Sequence, residues 1–180
     1  MLLITIPAAE LWDEKKEQFI YTKEQTLQLE HSLVSLSKWE SKWHKPFLGK
    51  EDKTTEETLD YIRCMTLTQN VAPDVYTRLS NANILQVNAY ISDPMTATWF
   101  TEDKNARPNK QVVTAEIIYH WMIELQIPFE CQKWHLNRLL TLIRVRNIKC
   151  QPPKKVSKRD TAAKYAALNA ARRKKLNSKG

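Results

Sequence analysis

Glycine occurs only twice in 180 residues, at Gly49 and Gly180, where average usage of about 7% would supply roughly thirteen. A backbone so poor in glycine has few points at which it takes positive φ without steric cost. Phosphate-cradling loops and dinucleotide fingerprints need several glycines so that the main chain can approach phosphate oxygens, and both are excluded. A nucleophile elbow of the G-x-S-x-G kind is excluded for the same reason. With no Asn-Gly or Asp-Gly turn, a many-stranded barrel of tight hairpins is disfavoured. Helices remain as the main building element. Hydrophobic residues at 42% and charged residues at 27% match globular norms, so most of the chain is expected to fold, as one domain with an appendage.

The appendage is marked by charge. The formal net charge is +8, but residues 154–180 hold ten basic groups against Asp160 alone and carry +9, leaving −1 for residues 1–153. Pro152-Pro153 sets the boundary, because neither proline can donate to a helix ladder and the first restricts the residue before it. The expected domains are therefore 1–151 and 152–180. In the second, Ser157 to Asp160 has capping-box spacing, and the run Ala162 to Ala171 has high helix propensity, which predicts a helix from Lys158 to about Lys175. Its stripe is mostly alanine with Tyr165 and Leu168, so it buries little area by itself.

The body predicts a mainly α fold, a compact helical domain with a small N-terminal β-hairpin or sheet. Leu2 to Ile6 is β-prone and is expected to pair with Phe19-Ile20-Tyr21 and Thr26 to Leu29. From Ser32, the positions Leu33, Leu36, Trp39 or Glu40, and Trp43 follow a helical stripe that Pro46 and Gly49 end. Thr54 to Glu57 is a capping box opening a helix expected over Thr55 to Thr68. Val75, Tyr76 and Leu79 make a short helical turn, and Ile84, Val87 and Ile91 a second helix stopped by Asp93-Pro94. Ser92 to Asn109 reads as a long connection in which Thr98-Trp99-Phe100 forms a strand or plugs the core. Thr114 is expected to cap a central helix, Ala115 to Leu125, apolar on nearly every side. Ile127-Pro128-Phe129 then turns the chain into a second core helix running from Trp134 to about Arg146, giving an antiparallel pair.

Candidate chemistry is sparse. Cys131 and His135 lie four apart, with His120 on the preceding helix, but a structural zinc site takes four ligands, usually as two close pairs, and no second pair exists. Cys131 is better read as a small core hydrophobe and His135 as a hydrogen-bonded, partly buried side chain. Glu56 and Asp60 are the ordinary acidic start of a helix. No cofactor or metal is expected, and nothing specific supports an enzyme. Cys64, Cys131 and Cys150 are odd in number and unpaired in spacing, a reduced, intracellular pattern. The start lacks a basic segment ahead of an apolar run, and no apolar stretch approaches the roughly 20 residues that span a bilayer, so a soluble protein off the membrane is expected.

Two segments stay open to a binding role. Trp39 and Trp43 either pack in the core or, with Phe47 and Leu48, form a groove for a partner. In the tail, Lys154, Lys155, Lys158, Arg159, Arg172, Arg173, Lys174 and Lys175 either form a solvated helix or contact an acidic protein or nucleic acid.

Three stretches carry a family likeness: Leu33 to Leu48 (LVSLSKWESKWHKPFL), Leu59 to Thr66 (LDYIRCMT), and Ile127 to Val145 (IPFECQKWHLNRLLTLIRV). With Pro152-Pro153-Lys154-Lys155, these make up 47 of the 180 residues. In them the chain resembles the tail assembly chaperones of tailed bacteriophages, encoded beside the tape measure protein. The resemblance implies a non-enzymatic helper, working in the host cell cytoplasm, that keeps the long helical tape measure chain soluble while tail subunits polymerise around it. It brings no catalytic residues. Two other readings stand beside it: a structural virion component of the tail or head-to-tail region, and a small nucleic-acid-binding protein using the basic arm.

Overall fold

The structure, a computed structural model, describes residues 1–13, 17–100, 111–150 and 158–177. The chain divides into two compact units, Met1–Asn147 and Ile148–Gly180. Pro152 and Pro153 lie outside the described residues.

The first unit begins with four short strands that form a hairpin in two stages. β1 (Leu2–Ile6) pairs antiparallel with β4 (Gln25–Leu29), and β2 (Ala9–Asp13) pairs antiparallel with β3 (Gln18–Thr22). Pro7 has no N–H to donate and separates β1 from β2. Phe19-Ile20-Tyr21 therefore pairs with Ala9–Asp13, a strand not foreseen, and not with Leu2 to Ile6; only Thr26 to Leu29 takes the expected partner. Alternation gives the inner pair one buried face, Ile4, Ile6, Leu27 and Leu29. The outer pair leaves Trp12, Phe19 and Tyr21 exposed, with the Trp12 and Phe19 rings edge to face.

Among the described residues, six α-helices begin in this unit: α1 (Leu33–Trp43), α2 (Thr55–Met65), α3 (Asp74–Thr77), α4 (Asn81–Ser92), α5 (Ala115–Glu124) and α6 (Leu136–Cys150). Reciprocal capping boxes start three of them, at Ser32 with Ser35, Thr54 with Glu57, and Ser80 with Asn83. Helix α2 ends three residues before the expected Thr68. Thr66 instead turns extended and bridges Leu29, so that Glu30 N–H donates to the Met65 carbonyl and Leu67 N–H to the Gln28 carbonyl. The free edge of β4 thus takes backbone that propensity would leave in the helix.

Positive φ falls to residues other than glycine: Glu17, His44, Asn70, Met95, Gln126 and Asn177. Each carries a cost of roughly 1–2 kcal/mol in that region, and none is β-branched. His44 closes α1 in the left-handed conformation, with its N–H on the Glu40 carbonyl.

The core collects β1, β4 and the inner faces of α1, α2, α5 and α6, with Trp39, Tyr61, Ile118, Met122, Leu136 and Leu139 almost fully enclosed. Helix α5 is less central than expected: Ala115, Ile118 and Met122 are buried, whereas Ile123 is 62% exposed. The link to α6 is a 3-10 turn, Phe129–Lys133, and α6 starts at Leu136, two residues beyond Trp134, and continues to Cys150. Thr98-Trp99-Phe100 is neither strand nor core plug. It is irregular, with Trp99 90% exposed and the Phe100 ring under the Arg144 guanidinium.

In the second unit, α7 (Lys158–Leu176) matches the predicted helix to within a residue at its end. The Ser157 cap falls outside the described residues.

Candidate functional site

Helix α1 is fastened to α2 by its aromatic and basic side chains. The Trp39 indole N–H donates to the Glu57 carbonyl at 2.9 Å, and the Trp43 indole N–H to Asp60 Oδ2 at 2.9 Å. Lys42 Nζ reaches Asp60 Oδ1 and Lys45 Nζ reaches Glu57 Oε1. Burial alone would raise the Asp60 carboxyl, but Lys42, the Trp43 N–H and Arg63 hold it below its ordinary value. The Trp39 and Trp43 rings stack at 6.2 Å, and Phe47 stacks on Tyr61 at 3.7 Å.

This geometry decides between the two readings of the aromatic segment. Trp39 is 1% exposed and Phe47 9%; they are core residues, and the expectation that they line a partner groove is corrected. The four-residue spacing of Trp39 and Trp43 stacks them along one face of α1, and here that face packs on α2. Trp43 is half-buried against Asp60. Of the four residues only Leu48, 40% exposed, faces open space.

Leu48 belongs to a different groove, of about 780 Å³. The chain after α1 forms one wall, with Pro46, Leu48 and Gly49. Val112 and Val113, just ahead of α5, form the other, and Trp121 of α5 and Leu140 of α6 complete an apolar lining whose polar members are Lys50, Glu51 and Gln111. Gly49 keeps this turn tight: its N–H donates to the Pro46 carbonyl, and a Cβ there would lie 3.1 Å from that oxygen, so a side chain would press the turn open by a few tenths of an ångström.

Both walls hang on Glu40. Its Oε1 accepts the Phe47 N–H at 2.8 Å and its Oε2 accepts the Ala115 N–H at 2.7 Å. Glu40 is buried, and burial raises its carboxyl above the usual range, against the opposing pull of those two N–H groups and with a further push from Glu116. Thr114 occupies the N-cap of α5, yet its side chain makes no cap bond, contrary to expectation; the Glu40 carboxylate supplies it from another helix.

Beneath α1 lies a second buried polar set. His31 Nδ1 meets the Tyr61 hydroxyl, and the His31 and His135 rings stand 5.1 Å apart. His135 Nδ1 accepts from the Asn137 N–H, so Nε2 carries the proton and donates to the Tyr90 carbonyl at 3.0 Å. Burial first, and the neighbouring His135 second, lower His31 to about 4. Cys131 is buried, and His120 is exposed beside Glu124. Among the described residues no group of three or more His, Cys, Asp or Glu is placed to hold a metal ion. Nor is any helix among them long and apolar enough to cross a membrane.

In α7, Arg159, Arg172, Arg173, Lys174 and Lys175 are exposed, and Lys158 is its first residue. Lys154 and Lys155 lie outside the described residues. That Val112, Val113, Trp121 and Leu140 line one groove, with Glu40 holding its walls, escaped the sequence reading, which placed Trp121 and Leu140 in core helices; the β-branched pair just ahead of a helix cap was the available signal. Compared with known proteins, the chain matches no family model, no curated protein and no solved structure.

Proposed function

We propose that this chain is a non-enzymatic tail assembly chaperone of a tailed phage, which binds the tape measure protein in the host cytoplasm and keeps it soluble until tail subunits enclose it. The observation that carries this reading is the apolar groove between residues 46–51 and 111–113, with Leu48 and Val112 open at its rim. A helper for a long amphipathic helix needs a concave apolar surface that takes the side chains of one helical stripe. It also needs release, and the strength of such a contact is set mainly through the off-rate. The resemblance in Leu33 to Leu48, Leu59 to Thr66 and Ile127 to Val145 supports the same reading. Leu48 is its contact residue, while Trp39 and Phe47 support the wall from inside.

The test is co-expression with the tape measure protein of the same phage. The native chain is expected to hold that protein in the soluble fraction and to co-purify with it. Leu48→Asp and Val112→Asp, both at exposed positions, should abolish co-purification while circular dichroism and thermal melting stay unchanged. Retained co-purification in both variants would overturn the groove as the binding surface, and stoichiometric presence of the chain in purified particles would favour a structural virion role.

A further inference from the structure

Helix α7 does not enter the chaperone reading, and its charge is unexplained by it. Its 19 residues extend about 28 Å at 1.5 Å per residue. Its cations sit in two groups, Lys158 and Arg159 at the start and Arg172 to Lys175 at the end, about 20 Å apart along the axis. Between them Ala162 to Ala171 contains six alanines and a single cation, Lys164. The described side chains are exposed from Ala162 onward.

Three kinds of partner fit a positive helix, and the distribution of groups separates them. A second copy is disfavoured, because residues 154–180 carry +9 and like charges oppose close approach. An acidic protein groove would read an apolar stripe at helical spacing with the cations opposite. Here the stripe is short, Tyr165 and Leu168, and at about 100° per residue no arc of α7 wider than about 80° lacks a cation. Cations at every azimuth suit a ligand that presents anions on both sides of the helix at once. A duplex groove does so, with a phosphate backbone along each lip. Along the middle of α7 the six alanines occupy one half of the circumference, opposite Lys164, Tyr165, Leu168 and Asn169; that alanine face is close to the bare helix, which suits entry into a B-form major groove about 12 Å wide. The deep, narrow major groove of A-form RNA does not admit it.

We infer that α7 binds B-form duplex DNA, its alanine section lying in the major groove and its two cationic ends on the flanking phosphates. The contact is made by shape and charge, and sequence preference is small because methyl groups read little beyond thymine methyls.

Fluorescence anisotropy of the full chain with a labelled duplex of about 20 base pairs, from about 50 to 200 mM salt, tests this. The native chain is expected to bind with log K falling linearly in log salt by about 0.9 per phosphate contacted. Replacing Arg172, Arg173, Lys174 and Lys175 together by Gln should weaken binding at least about tenfold at 100 mM salt and flatten the slope by about 3. Ala166→Leu with Ala170→Leu keeps the helix and the charge but thickens the section assigned to the groove, and should weaken binding severalfold with the slope unchanged. Absence of binding at the lowest salt overturns the inference. So does an unaffected leucine variant, which would mean that the cations only track phosphates from outside. Equal affinity for duplex RNA or for polyglutamate would overturn it as well.

Discussion

Glu40 Oε2 accepts the N–H of Ala115, 75 residues further along the chain, at 2.7 Å, and caps a helix to which Glu40 does not belong. Its other oxygen holds the Phe47 N–H. One buried carboxylate therefore fixes the start of α5 and the turn after α1, the two walls of the apolar groove. A charged group inside a protein is tolerated only where hydrogen bonds replace its hydration.

Glu40→Ala leaves two buried N–H groups without acceptors, and each such loss costs about 1–3 kcal/mol. The expected total is about 2–5 kcal/mol, read as a lower urea midpoint. Glu40→Gln keeps one acceptor and turns an NH₂ toward the other N–H, so it should lie between native and Ala. A Gln variant as stable as the native chain would show that the second bond contributes nothing.

His31 makes stability depend on acid. The unfolded chain takes up its proton near pH 6.5 and the folded chain near 4, so between those values the unfolded state binds more protons. Stability is then fully present above pH 6.5 and declines as pH falls toward 4, by on the order of 3 kcal/mol. Glu40 opposes this in part: its raised carboxyl lets the folded state gain from protonation in a window above about 4.5. Urea titrations at about pH 7 and about pH 4.5 should show the loss, and His31→Phe should flatten it. The same pH dependence in His31→Phe would assign the effect to another group.

What the sequence conveyed and what it withheld follow the range of the interactions. The caps at Ser32 and Thr54 are local, joining residues three apart, and both helices begin where their side chains say. The alanine run of α7 likewise settles its own conformation. Helix α2 stops early because β4 offers Thr66 and Leu67 a ladder partner 37 or more residues away in sequence, and no local pattern announces that. Trp39 and Trp43 were legible as a stacked pair, but the direction in which the pair faces depends on Glu57 and Asp60 of another helix. Glu40 was legible only as a position on that stripe, and its buried capping role was not, because a charged residue on a helix is normally solvated. The groove combines segments from four parts of the chain, so its existence is a property of packing alone.

The α1–α2 seam predicts unequal effects for its two tryptophans. Trp39 is enclosed and its N–H is satisfied inside the core, so Trp39→Ala should cost about 3–5 kcal/mol and leave little folded protein. Trp43 is half-buried, and its loss leaves Asp60 still paired with Lys42; Trp43→Ala should cost roughly half as much. Asp60→Asn removes the ion pair, and because Asp60 is held below its ordinary value its contribution is present above about pH 4 and lost as pH falls further. Thermal melts of the three variants near pH 7 and near pH 3 rank them, and equal costs for the two tryptophans would contradict the burial difference.

Helix caps give the sharpest contrast, since three threonine and serine residues hold the same formal position. Ser32 and Thr54 each accept the N3 backbone N–H and belong to reciprocal boxes, so Ser32→Ala and Thr54→Ala should each cost about 1 kcal/mol. Thr114 sits at the N-cap of α5 without a side-chain cap bond, its helix being capped by Glu40. Thr114→Ala should therefore change stability by no more than a few tenths of a kcal/mol, well inside the range of a surface substitution. In a Glu40→Ala background the Thr114 hydroxyl still faces the N2 and N3 N–H groups and not the freed N1 N–H of Ala115, so the same Thr114→Ala change should again stay within a few tenths of a kcal/mol. Urea denaturation of the four-member cycle checks this: the two changes should add, and a coupling near about 1 kcal/mol would show that Thr114 takes over the capping of α5 when Glu40 is absent.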